Sequence, residues 1–242
     1  MTRGIEDENI RNQELDKIAK RLIGVLLDSN PDYLINNPKL EWQAKCVRMY
    51  AAELLGKTKS KAAINSLIKV MEDNTLTKDE EAFIKRDERV ESEADQLKIF
   101  KQRKLLFNKL YLASSCVSAL SEIGGEEVVE PLIKALKNPS HNFYQTALLG
   151  LVRIGDKRAI NPIKELYPKA EEYFKIQIID AIGKIGGEEE ISFLRAIGLN
   201  KQESQERIDA AKKAITSIYE NNNLPKKTWR AIERDTSLRL VR

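Results

Sequence analysis

One histidine and two cysteines are all the imidazoles and thiols that 242 residues offer. That scarcity excludes a histidine-rich metal centre and a disulfide scaffold. Glycine and proline are also sparse, at 11 and 7, which favours long regular elements over a turn-rich β fold. No apolar run approaches the ~20 residues of a membrane-spanning helix. The stretch from Ile23 to Leu27 falls far short. No apolar leader follows the first residues, so a secretory signal is not expected in the chain as given and a cytoplasmic setting is. Apolar residues at 42% and charged residues at 32% are too apolar a mix for a disordered chain and too charged a mix for a membrane protein. Cys46 and Cys116 have no CxxC spacing and lie in apolar stretches. They read as buried small hydrophobes.

The net charge of +4 is unevenly placed. From Pro225 to Arg242 the bases are Lys226, Lys227, Arg230, Arg234, Arg239 and Arg242, against the acids Glu233 and Asp235. That segment alone accounts for the excess, so any long-range pull on an anion starts there. With Trp229 and Ile232 among the bases, it reads either as a strap over the last helices or as an anion-seeking tail. The tail would suit nucleic acid, acidic lipid or an acidic protein.

Three segments share one register. They end on Gly124, Gly155 and Gly186, which are 31 residues apart. One residue before each glycine stands Ile123, Ile154 or Ile185, and four before stands Leu120, Leu151 or Ile182. Five before is small (Ala119, Gly150, Ala181), and eight before is Cys116, Ala147 or Ile178. Offsets of 1, 4, 5 and 8 trace one stripe of an α-helix. The small residue lets a neighbouring helix come close, and the glycine ends the helix in a left-handed turn. A second helical stretch follows each glycine. Pro131 and Pro162 sit seven residues after the glycine, with Phe193 in that place in the third copy. Proline is tolerated in a first helical turn. Weaker copies flank the three. Met49 to Gly56 ends on a glycine ahead of Ile64 to Met71, and Ala211 to Ile218 repeats the first helix at an offset of 33.

The string Ala-Leu-x-x-Ile-Gly-(Gly/Asp)-x-x-(Ala/Val)-(Val/Ile)-x-Pro-(Leu/Ile) resembles HEAT repeats of the short, phycobilisome-lyase-like type. The resemblance spans about residues 43–71 and 105–219. It implies an all-α fold, a right-handed α-solenoid of about five helical pairs, with partners held on a concave face lined by second helices. It also implies two enzymatic alternatives. Bilin lyases of this build handle tetrapyrroles. HEAT-like alkylpurine DNA glycosylases need a basic groove with aromatic and acidic side chains, which a neutral body with only Trp42 and Trp229 matches poorly. HEAT-like diiron hydroxylases need several histidines, absent here.

The expected organisation is a helical cap over 1–42, repeats over 43–220 and a basic tail over 221–242. In the cap, Leu15, Ile18, Ala19, Leu22, Ile23 and Leu26 form an amphipathic stripe. A charged insertion over about 72–104 interrupts the repeats. Phe83, Val90 and Leu97 lie seven apart in it. It reads as one long solvated helix with a thin apolar seam, as a docking arm or a coiled-coil-like contact, or as disorder.

Sites of chemistry are few. Gly56-Lys57-Thr58 resembles the end of a phosphate-binding loop, but position 51 is alanine and a helix, not a strand, precedes it. His141 lies in a turn that Ser140 caps, with no nucleophile elbow. Glu171-Glu172 and Glu188 to Glu190 fall at helix starts, where carboxylates suit the dipole. No catalytic, cofactor or metal residues are therefore expected. The expected function is a non-catalytic scaffold that binds a protein along its second helices. Positions 3, 6 and 10 after each glycine should form the exposed row: Glu127, Glu130 and Lys134, then Arg158, Asn161 and Glu165, then Glu189 and Ser192. Its mixed sign favours a protein partner over nucleic acid. The alternative nucleic-acid reading rests on the tail, chiefly Lys226, Lys227, Arg230 and Arg234.

Overall fold

The computed structural model describes residues 2–28, 41–86, 92–137, 143–225 and 229–234. All regular elements among them are helical. They are α1 (Thr2–Leu27), α2 (Glu41–Lys57), α3 (Ile64–Asp73), α4 (Lys78–Lys85), α5 (Glu93–Ile123) and α6 (Val129–Leu136). Then come α7 (Phe143–Ile154), α8 (Ile160–Leu166), α9 (Glu172–Ile185), α10 (Ile191–Leu199), α11 (Gln205–Asn221) and α12 (Trp229–Arg234). The chain forms two compact units, 1–150 and 151–242, with the division inside α7.

The repeated stripe is inside. Cys116, Leu120, Ala147, Leu151, Ile178 and Ile182 are fully buried. Ile123 and Ile154 are half-buried and Ile185 is buried. The helices end where the glycines stand. Gly124 and Gly155 take φ of 67° and 74°, the left-handed region that an L side chain avoids. Gly186 departs from expectation, since its φ of −72° and ψ of 164° are extended. There the chain leaves α9 without a left-handed residue. A short 3₁₀ turn then leads into α6, α8 and α10. Pro131 and Pro162 each occupy the third position of a second helix, within the turn whose amides have no intrahelical acceptor.

In the first unit, α1 packs on α2 and α3. Its Ala19 and Leu26 are buried, while Ile18 lies at the stripe's edge and stays largely exposed. Arg48 Nε donates to the Leu26 carbonyl at 2.8 Å, satisfying an acceptor in the last turn of α1. Against expectation, Gly56 does not end α2. The helix runs on to Lys57, and the reversal falls at Lys59 with φ 51°. Gly56 instead lies against α5, where a Cβ would come within 2.7 Å of the Ala119 Cα.

The charged insertion is not one long helix. α4 stops at Lys85, and both Arg86 and Ser92 are extended, with ψ of 126° and 131°. α5 then begins and runs without interruption into the repeat stripe, over 31 residues. α4 starts on a capping box: Thr77 Oγ1 accepts from the Glu80 amide at 3.2 Å, and the Thr77 amide donates to Glu80 Oε2 at 2.9 Å. Phe83 turns inward against Leu76, Leu106, Leu110, Ala113 and Phe143. Leu97 faces out from a different helix, and Val90 lies outside the described residues. The seven-residue seam therefore does not form.

In the second unit, α9 packs on α8 and α11, and α10 on α11. Gly183 of α9 meets α11 as Gly56 meets α5; a Cβ there would lie 2.7 Å from the Ala214 Cα. Arg207, buried in α11, reaches Glu172 Oε2 at 2.6 Å and Glu203 Oε2 at 2.8 Å. The short helix α12 packs on α10 with Ile232 buried.

Candidate protein-interaction surfaces

The predicted second-helix row follows from the helix phase. Leu132, Ile133 and Leu136 of α6 face inward, so Glu130 and Lys134 face solvent, as does Glu127 just before them. In the second unit Arg158, Asn161, Glu165 and Glu189 are exposed in the same way. Ser192 is half-buried, and its hydroxyl donates to the Glu189 carbonyl at 3.2 Å.

Much of the charge on this row is met internally. Lys134 Nζ lies 2.7 Å from Glu72 Oε1 on α3. Arg158 grips Asp156 with Nη2 at 2.7 Å from Oδ2 and Nε at 3.1 Å from each oxygen. Those bonds hold the Asp156 carboxyl below the usual carboxylate range. Exposed pairs of this kind contribute at most about 1 kcal/mol each. They leave the row solvated and acidic on balance, with Glu127, Glu130, Glu165 and Glu189 against two cations already paired.

Other predicted residues divide between placed and unplaced. Lys226, Lys227, the Arg230 side chain and His141 lie outside the described residues. Arg234 ends α12 and is exposed. Lys57 sits on the last turn of α2, paired with Glu53 at 2.6 Å, and the Thr58 amide is spent on the Leu54 carbonyl. No phosphate cradle is built there. Glu190 is buried at a helix start, where its carboxylate accepts the Gly187 amide at 3.0 Å and lies 3.4 Å from Lys164 Nζ. Among the described residues no cluster of three metal-ligating side chains forms. Burial pushes the Cys116 thiol up to about 12 and raises Cys46 as well. Neither is a ready thiolate.

A second surface was not anticipated. α5 outreaches the buried stripe at its N-terminal end and lies beside α2. Between them runs a groove of about 670 Å³. α2 contributes Cys46 and Met49; α5 contributes Phe100, Arg103, Lys104, Phe107, Asn108 and Tyr111. Phe100 is 63% exposed, Tyr111 59% and Leu97 53%. Large apolar side chains exposed side by side mark interaction surfaces more often than single ones do.

The groove's polar groups are basic. No acid occurs from Gln96 to Ser121, while Lys98, Lys101, Arg103, Lys104 and Lys109 do. Lys109 is taken by Glu80 at 2.8 Å. The Arg103 guanidinium lies over the Phe83 ring, 5.9 Å from its centre, and donates to the Arg86 carbonyl. Arg103 Nε and Asn108 Nδ2 have no hydrogen-bond acceptor. The sequence did carry a signal: Leu97, Phe100, Lys104, Phe107 and Tyr111 are spaced 3, 4, 3 and 4.

Comparison with known proteins fits this geometry. Residues 129–215 match the family model for HEAT repeats. Residues 47–73 and 112–138 match that for the PBS lyase HEAT-like repeat. No curated protein matches the chain.

Proposed function

Because the chain is a HEAT-repeat protein of the phycobilisome-lyase-like type, we propose that it works as a non-catalytic scaffold that holds a protein partner. Repeats of this kind commonly serve protein interaction, since each helical pair is spent on its neighbours and leaves broad outer surface. The observation that carries the reading is the groove between α2 and α5. An aromatic-lined face left open to water is unfavourable in a free monomer and is relieved when a partner covers it. The second-helix row is the second surface, supported by its exposure in both units.

Affinity capture with the full chain tests the reading. Phe107→Asp should deplete a captured protein that wild type retains, with circular dichroism unchanged. Charge reversal of Lys134 and Arg158 should weaken the same capture if the row contributes. A captured set identical in all three proteins contradicts the proposal.

A further inference from the structure

The groove, taken as the partner site proposed above, also shows what shape and charge would fill it. Leu97, Phe100, Lys104, Phe107 and Tyr111 alternate three and four residues apart along α5. That spacing places one continuous stripe along the helix, the stripe that a second helix packs against. The stripe is exposed at Leu97, Phe100, Phe107 and Tyr111. It has cations on and beside it. Lys104 lines the groove and Lys101 lies beside the stripe, and both are exposed. The face turns at its far end. Beyond Met49 and Tyr111, which line both parts, a hollow of about 270 Å³ is lined by Ser114, Ser115, Ser118, Glu53 and Glu122. The site is thus basic and aromatic between Phe100 and Tyr111, past the acidic first turn of α5 with Glu93 and Asp95, and hydroxylic and acidic toward α2's end.

We infer that the groove receives an amphipathic α-helix of a protein partner, with apolar residues on its heptad seam and acidic residues flanking them. Helix-in-groove recognition uses apolar anchors at such spacings for affinity. Flanking charge sets which partner is accepted and which is repelled. An acidic flank meets Lys101 and Lys104; a basic flank would face two like charges.

Two synthetic helices test this, with leucine on the seam and either glutamate or lysine in all flanking positions. Fluorescence anisotropy with the full chain should show the glutamate peptide binding at least about tenfold tighter than the lysine peptide. Phe107→Asp should weaken it about tenfold or more, as loss of an anchor does. Lys101→Glu with Lys104→Glu should reverse the preference between the two peptides. Lys101 and Lys104 are exposed, so the double variant should melt as wild type does, while Phe107, 38% exposed, is checked by an unchanged circular dichroism spectrum at the assay temperature. Equal binding of both peptides, or binding indifferent to these substitutions, overturns the inference. So does Phe107-dependent binding to phosphatidylglycerol vesicles in place of the peptide, or Phe107-dependent self-association in sedimentation velocity. If the peptides fail while Phe107→Asp still depletes the captured protein, the acidic helix is wrong and the partner groove stands. If both fail, the groove reading falls as well.

Discussion

Gly183 shows how closely the helices approach. Gly56, Gly150 and Gly183 each leave no room for a methyl group, facing Ala119, Ser121 and Ala214. Counted from the repeat glycines, Ala119 and Gly150 are at minus five, while Ser121 and Gly183 are at minus three. Position minus five of one copy therefore meets minus three of its neighbour. Gly183→Ala should cost about 1–3 kcal/mol, because the Ala214 backbone cannot yield as a flexible side chain can. Gly24→Ala should be neutral or stabilising by up to about 1 kcal/mol, since open space surrounds it on a helix. Urea unfolding of both variants checks the contrast. Arg207 gives a second test. Its removal leaves Glu203, a largely buried carboxylate, without its cation. Arg207→Ala should lower stability by about 3 kcal/mol in the same assay.

Cys116 makes stability depend on pH at the alkaline end. Its thiol is raised from 9.0 to about 12 by burial. The folded chain thus keeps a proton that the unfolded chain releases. The resulting stabilisation is complete below pH 9 and is lost as pH rises toward 12. Tyr167, raised from 10.0 to about 12, adds to the fall in the upper part of that range. Urea midpoints measured from pH 8 to 11 should decline for wild type. They should decline less steeply for Cys116→Ala, whatever its starting stability.

At the scale of elements, the helices of the three regular copies could be read from the chain because one stripe and one glycine recur in fixed phase, with a proline in two of the copies. Their ends followed with them, at Gly186 too, although the chain leaves that glycine in an extended conformation. The insertion could not be read this way. Its Lys- and Glu-rich stretch favours a helix throughout, so propensity does not mark where one helix stops. The capping box at Thr77 and the inward turn of Phe83 decide it. Thr77→Ala should destabilise α4 by about 1 kcal/mol. Hydrogen exchange in 78–85 should then rise while α9 and α11 are unchanged. The open groove was hidden for a related reason. Heptad spacing from 97 to 111 states that a face is apolar, not whether another helix already covers it.

At the scale of the molecule, repeated pairing consumes one face of each helix and leaves others available. The described part of the chain contains no helix long and apolar enough to cross a membrane. Its exposed aromatic face and its repeat family both support a role in binding. Hydrogen-exchange mass spectrometry of the full chain, with and without the protein it captures, tests this most directly. The account predicts added protection in 46–57 and 97–111, with any further protection along 127–134 and 158–165. No change in exchange anywhere, or protection confined to surfaces away from all four segments, would contradict it.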